Sequence, residues 1–344
     1  MVSGGSRQGR AYIGSFTTAG GSGILRAAVD PDTGALTVLD AVDGVENPSY
    51  LALDGDTLYA VSETADGAVA AFRVGGERPE AVGLPVPVDA VGPTHLAVFG
   101  GHIVTANYHS GSVSAVPLRP DGSLAEAVGA KVLAYKGSGP DKDSQEGPHA
   151  HHVLPDPSGR WFTAVDLGTD TVRVHTLVDG APAVHRETAL RPGSGPRHLA
   201  FHPDGERAYV LNELSPTVTV CRWDATEGLL TPVGETPVLP GSPDGDAYPS
   251  AVVVSPDGRF VWTATRGEDV ISVLSVDGGL TLVATVSCGG AWPRDLALHP
   301  SGRFLYAANE HSGDVTWFAV DPETGVPRRN GSVPAPAASC VVFG

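Results

Sequence analysis

One pattern of about 18 residues recurs six times along this chain, and that recurrence constrains the fold more than any other feature. The copies are PSYLALDGDTLYAVSE from Pro48, PTHLAVFGGHIVTANY from Pro93 and HHVLPDPSGRWFTAVDL from His151. They continue with PRHLAFHPDGERAYVLNE from Pro196, PSAVVVSPDGRFVWTATR from Pro249 and PRDLALHPSGRFLYAANE from Pro293. The leading prolines, Pro48, Pro93, Pro148, Pro196, Pro249 and Pro293, stand 44 to 55 residues apart. That spacing is one four-stranded sheet per repeat, the period of a propeller blade.

Each repeat has the same internal grammar. An apolar run ends in a turn such as HPDG or HPSG, and a second apolar run with an aromatic near its start follows. This is a hairpin. An alternating stretch such as TVTVCRW or DVTWFAV comes next, its period of two marking one buried and one wetter face. Turns such as Asp30–Gly34 (DPDTG) and Asp321–Gly325 (DPETG) then lead to an outer strand. Helical periodicity is absent.

The ends supply one more blade. AYIGSFT from Ala11 reads as a second strand with no first strand before it. PAPAASCVVF from Pro334 reads as a first strand with nothing after it. Pairing them closes a ring and removes two open sheet edges. The expected fold is all-β: a seven-bladed propeller of four-stranded antiparallel blades, closed by the C-terminal strand joining the N-terminal blade. Residues 1–344 are expected to form that single domain, with residues 1–9 as a disordered tail. A length of 344 residues would otherwise suggest two domains, but repetition lets one architecture grow.

Composition narrows the partners. The net charge is −17, which argues against nucleic acid and anionic membranes. Any basic cluster must therefore be local. Cys221, Cys288 and Cys340 lie far apart and read as buried thiols of a reducing compartment. No run reaches 18 apolar residues and the start, MVSGGSRQGRAYIG, has no apolar core of a signal peptide, so the cytoplasm is the expected location. A monomer without cofactor or metal is expected.

The repeat also supplies coordinates for a site. In a propeller the first strand of each blade lines the channel and the second runs back beside it. The start of strand one and the end of strand two therefore meet at one channel mouth. Six residues before the turn prolines Pro157, Pro203, Pro256 and Pro300 stand His151, Arg197, Ser250 and Arg294. Ten residues after them stand Leu167, Glu213, Arg266 and Glu310. Aligning the remaining second strands adds Glu63 and Tyr108. Arginine is seldom buried unless paired, so three arginines and a histidine converging in an acidic protein point to an anionic ligand. The adjacent Glu and His suit proton transfer.

Plainer readings compete. Arg197 with Glu213, and Arg294 with Glu310, belong to the same blades and read equally as salt bridges of little net worth. Arg266 has Ser250 rather than a carboxylate at the matching place. His149 and His151 share one side of a strand, as two metal ligands would, but no third ligand is evident. Asp166 and Asp170 read as turn residues. The stretches 136–149 and 240–249 are long enough to be rim loops over the mouth.

PHAHHVLPDPSGRWFTAVDLGTD, GPRHLAFHPDGERAYVLNEL and WPRDLALHPSGRFLYAANE carry a resemblance to a known family. Across nearly all its length the chain resembles the β-propeller lactonases, which include bacterial 6-phosphogluconolactonases and fungal carboxymuconate lactonising enzymes. The resemblance implies hydrolysis of a sugar lactone, best matched by 6-phosphogluconolactone, a small anionic substrate. Lactonisation of an unsaturated diacid and a purely binding propeller are the alternatives. It also implies that His151, Arg197, Glu213 and Arg266 are the catalytic residues; Arg294, Glu310, Tyr108, Glu63 and His149, read from the sequence itself, are expected around the substrate. Ser250–Ala251, Thr265–Glu268 around Arg266, and Glu310 depart from the family's usual residues, which bears on the substrate rather than on those four.

Overall fold

The computed structural model describes residues 9–76, 78–243 and 245–344. Most of the expected tail, residues 1–8, lies outside the described residues, and Gly9 already pairs with Val29 in the first strand. Among the described residues the strands form seven sheets. Blade 1 joins the C-terminal strand Ala338–Phe343 to Gly9–Ser15, Ile24–Val29 and Leu36–Val42, so the two chain ends close the ring as expected. Blades 3 to 7 follow in chain order, with innermost strands Pro93–Phe99, Ala150–Pro155, Pro196–Phe201, Tyr248–Val254 and Pro293–Leu298.

Blade 2 departs from four continuous strands. Behind Leu51–Asp54, Thr57–Ser62 and Ala68–Arg73, its outer position is two short pieces, Glu80–Ala81 and Val86–Pro87. Pro79, Pro85 and Pro87 stand there, and a proline cannot donate to a ladder.

The core is seven layers, one at each blade-to-blade interface. Strand alternation creates them, because successive side chains face opposite neighbours. In Phe304–Asn309, Phe304, Tyr306 and Ala308 pack with Ile13 and Ala27 of blade 1, whereas Leu305 and Ala307 pack with Trp262 and Ile271 of blade 6. The same holds at every joint, down to blades 1 and 2, where Tyr12 and Cys340 meet Leu58 and Phe72. All three cysteines are buried and unpaired, and burial pushes the Cys221 thiol up to about 12 and Cys288 to about 11.

A polar peg accompanies the apolar contact at four joints. An aromatic at the start of a second strand donates to a carbonyl in the outer turn of the next blade. The pegs are Tyr59 Oη to Gly122 O (2.6 Å), Trp161 Nε1 to Ala225 O (2.9 Å), Trp262 Nε1 to Gly325 O (2.8 Å) and Tyr306 Oη to Gly34 O (2.7 Å). The turns that receive them need glycine twice over. Gly325 has φ +69°, and a Cβ there would lie 2.5 Å from the Phe260 ring. The turn is held by Asp321, whose Oδ1 accepts the backbone N–H of Glu323 and Thr324.

Two substitutions separate these demands. Gly278 also has φ +69°, but nothing lies within 4 Å of its notional Cβ. Gly278→Ala is expected to cost about 1 kcal/mol, the left-handed penalty alone. Gly325→Ala is expected to cost at least about 2 kcal/mol, because Phe260 and Trp262 must also shift. Urea unfolding of both variants checks this; equal losses would remove packing from the account.

Candidate active site

The innermost strands share one irregularity. In six blades the ladder to the second strand skips a residue at the mouth: Thr94, His151, Arg197, Ser250, Arg294 and, in the closing blade, Ser339. Each is a β-bulge, which sets two residues against one and re-aims a side chain. A ring of bulged residues thus turns toward the channel, with Ser49 at the matching place of blade 2. A second ring comes from the ends of the second strands. The N–H groups of Glu63, Tyr108, Leu167, Glu213 and Glu310 donate to the carbonyls of Asn47, Gly92, His149, Gly195 and Trp292, each two residues before a channel-facing position. Asn47, Gly92, Gly195, Trp292 and Ala337 all hold positive φ to make that closure. These rings are the two positions counted from the turn prolines.

Charge links the rings across blades. One Glu213 oxygen lies 2.9 Å from Arg197 Nε and 2.7 Å from Arg266 Nη2. At these separations both are close ion pairs. The Arg197–Glu213 pair is legible within its blade; the reach of Arg266 to the neighbouring blade's carboxylate is not. Two buried guanidiniums share one carboxylate and leave a positive charge over. Arg294 pairs with Glu310 at 3.2 Å and lies over the Phe16 ring.

Further contacts fix the cations. Arg266 Nε donates to Tyr248 O at 3.2 Å, and its guanidinium lies near the Tyr248 and Trp292 rings. Arg197 Nη1 donates to Ser250 O and to His198 Nε2. Arginine only donates, so His198 Nε2 accepts and the ring is neutral. Burial, reinforced by Arg266, pushes Arg197 down to about 9, still a cation at pH 7.

His151 sits among these cations. Burial first, then Arg197, Arg294 and Arg266, hold it well below the ordinary histidine range, so it is a neutral imidazole. Its Nδ1 has no protein hydrogen-bond partner among the described residues. Its backbone carbonyl accepts from Thr94 Oγ1 at 3.2 Å. Tyr108 meets it edge-on, and burial and Glu213 raise that phenol to about 12.

His149 is occupied otherwise. It stacks on Tyr108, its Nδ1 lies 3.0 Å from Tyr108 O and its Nε2 lies 3.3 Å from Glu146. Among the described residues no group of three or more His, Cys, Asp or Glu side chains has the arrangement of a metal site. Ser49 Oγ donates to Glu63. Asp166 and Asp170 are structural, in keeping with their place in a turn. Asp166 accepts from the N–H groups of His149, Gly168 and Thr169, and from Arg173. Asp170 reaches across to Gly193 and Gly195 and so holds the approach to Arg197. The 136–149 stretch folds in through Gln145, whose Nε2 donates to Leu167 O.

Below the bulges lies a layer that counting from the prolines does not flag. Tyr50, His95, His152, His198 and Asp295 each follow a channel-facing position by one residue. Tyr50, His95, His152 and His198 form a chain of ring contacts, 3.7, 4.1 and 4.5 Å between successive centroids. All three histidines are pushed down by burial. Asp295 is pushed up to about 7 by burial. The signal is present in the sequence as the residue after each marked position, in PTH, AHH, PRH and PRD. A wider groove where blades 6, 7 and 1 meet is lined by Arg259, Arg303 and Arg328, but Arg259 is already bonded to Asp257 and Pro322 O, and Arg303 to Asp32 O.

Comparison with known proteins agrees with this architecture. The family model described as lactonase, 7-bladed beta-propeller, matches residues 10–343. The chain belongs to the seven-bladed β-propeller lactonase family, and its class is that of a carboxylic ester hydrolase. It is 36% identical to the 6-phosphogluconolactonase of Bacillus subtilis, over 96% of this chain and 97% of that one. A crystal structure from Lactobacillus plantarum superposes with a TM-score of 0.91 at 30% identity, covering 98% of this chain and 99% of that one. The Pseudomonas aeruginosa periplasmic gluconolactonase superposes with a TM-score of 0.86, also at 30% identity, covering 97% and 98%.

The shared carboxylate has a measurable consequence. Glu213→Ala leaves two buried guanidiniums facing each other, and breaking such a set costs about 3 kcal/mol or more. Glu213→Ala is expected to lower unfolding stability by that amount, and Glu310→Ala, at a more open pair, by less than about 1 kcal/mol. Denaturant melts of both variants test the ranking.

Proposed function

We propose that the chain hydrolyses a phosphorylated sugar lactone, 6-phosphogluconolactone, to the open acid at this mouth. The observation that carries the reading is the pair Arg197 and Arg266 sharing Glu213 beside a neutral His151 whose Nδ1 has no protein partner among the described residues. The names of the Bacillus and Pseudomonas relatives support a sugar lactone as substrate.

Water must attack the lactone carbonyl, and negative charge develops on its oxygen. His151 takes the water's proton through Nδ1, its acceptor being free, whereas Glu213 is held between two cations. One of Arg197 and Arg266 faces the oxyanion, where fixed charge stabilises the transition state most. The other, with Arg294, holds the phosphate. As the tetrahedral intermediate collapses, the ring C–O bond breaks and the alkoxide recovers the proton from His151. Tyr108, Glu63, Glu310 and His149 shape the surrounding wall. An incoming anion offsets the arginines that depress His151, so substrate itself makes the base stronger. Water, a base and fixed charge are sufficient for this step, and a small anionic lactone is the only partner required. The cytoplasm remains the expected compartment, where three unpaired thiols persist.

Arg197→Ala and Arg266→Ala are each expected to lower kcat/KM on 6-phosphogluconolactone by about a hundredfold or more. Arg294→Ala is expected chiefly to raise KM, and to do so less for unphosphorylated gluconolactone. The lactones open spontaneously, so rates are compared with buffer alone and with His151→Ala. Near-normal turnover in both arginine variants would sink the reading; turnover of a carboxymuconate in preference to the lactone would replace it with lactonisation.

A further inference from the structure

Beside Arg197 and Arg294 the channel narrows to a small, partly open polar cell. Its walls are the bulged residues Thr94, His151, Arg197, Arg294 and Ser339, with Ser49, Tyr50, Glu63, His198 and Asp295. Six of the seven blades contribute, blade 1 through Ser339 on the closing strand. The space for a water centre is about 10 Å³, which is room for one molecule.

Its lining is built for that occupant. Ser339 Oγ and His151 Nδ1 are buried; His151 Nδ1 has no hydrogen-bond partner among the described protein groups, and Ser339 Oγ has only the weak Cys340 thiol beside it. Each would cost about 1–3 kcal/mol if left unsatisfied. A nonpolar tenant cannot satisfy them. A water seated between them would accept from Ser339 Oγ–H and donate to His151 Nδ1. A water has a second proton to give, and Asp295 lines the same cell from blade 7.

We propose that this cell seats the hydrolytic water of the lactonase reaction, with Ser339 as its donor and His151 and Asp295 as its two acceptors. The inference rests on the lactonase reading above. Substrate then enters from the mouth, water attacks from the channel side, and the two meet at the plane of Arg197 and Arg294. His151 removes the proton that leaves; the Asp295 carboxylate holds the other and turns the oxygen lone pair toward the mouth. Asp295 is thereby a catalytic residue outside the four that the family resemblance implies.

The ionisation of Asp295 should be visible. Its oxygen accepts the Val341 N–H at 3.4 Å. Around it stand Arg197 from blade 5, Tyr50 from blade 2, Cys340 from blade 1, and the cell's His151, His198, Arg294 and Glu63. Burial raises it to about 7 despite Arg197, so the carboxylate form grows as pH rises through neutrality. His151 and His198 are already neutral there and contribute no step.

Three variants test the seat on the full chain, with 6-phosphogluconolactone as probe. Ser339→Val fills the cell and is expected to cut kcat at least tenfold with KM within twofold of wild type. Ser339→Ala keeps the space and is expected to lose less than fivefold. Asp295→Asn is expected to abolish the rising limb of kcat near pH 7. A crystal structure of the wild-type chain should show one ordered water within hydrogen-bond distance of Ser339 Oγ and His151 Nδ1. Thermal melts check that Ser339→Val is folded; if it is not, the pH profile of Asp295→Asn and the crystal structure decide. Unchanged kcat in folded Ser339→Val, a retained pH limb in Asp295→Asn, or a dry cell would each overturn the proposal. A wild-type chain with no lactonase activity would instead overturn the reading beneath it.

Discussion

Everything in this molecule depends on each strand serving two neighbours at once. Alternation deals the side chains of one blade to both adjacent blades, so no blade has a core of its own. The seven apolar layers lie between sheets. A blade removed from the ring would expose two such faces, and a ring left open would expose one at each end. Closure by Ala338–Phe343 is therefore a requirement of packing as much as of hydrogen bonding. The aromatic pegs at Tyr59, Trp161, Trp262 and Tyr306 add direction to that packing, because each must reach one carbonyl in the next blade.

The same architecture makes a charged site possible. Burying arginine is costly, and a protein of net charge −17 has no general reason to gather three of them. The bulges concentrate side chains from different blades at one depth, where Glu213 of blade 5 can serve an arginine on each side of a blade joint. Asp166 and Asp170 brace the loops that carry His149 and Arg197, so the charges are held from behind by backbone contacts. The result is a mouth where three arginines and three glutamates meet above a histidine-rich floor. Anion binding and water activation are thereby separated along the channel axis.

Much of this is legible in the amino-acid sequence. The turn proline acts as a ruler, because hairpin length is constant across blades 4 to 7. Six residues back and ten forward mark the bulge and the strand end, and His151, Arg197, Arg294, Glu213, Arg266 and Glu310 all stand where that ruler places them. What it misses, it misses for a physical reason. A ruler built on regular alternation hides the bulge, which brings the following residue into the channel wall as well. His95, His152, His198 and Asp295 escape it because they stand one position beyond the marked one. The broken outer strand of blade 2 follows from three prolines, whose lost donors a count of repeats does not weigh.

The number of blades, the place where the ring closes and the depth at which charged side chains meet are all written in the chain. They are consequences of period and of local turn chemistry, which a repeat states many times over. Which cation meets which carboxylate is decided only in three dimensions, because Arg266 and Glu213 are brought together by the angle between two blades. The cell beneath them is decided there too. It is the space left where six blades converge, and no single repeat carries information about a gap among them.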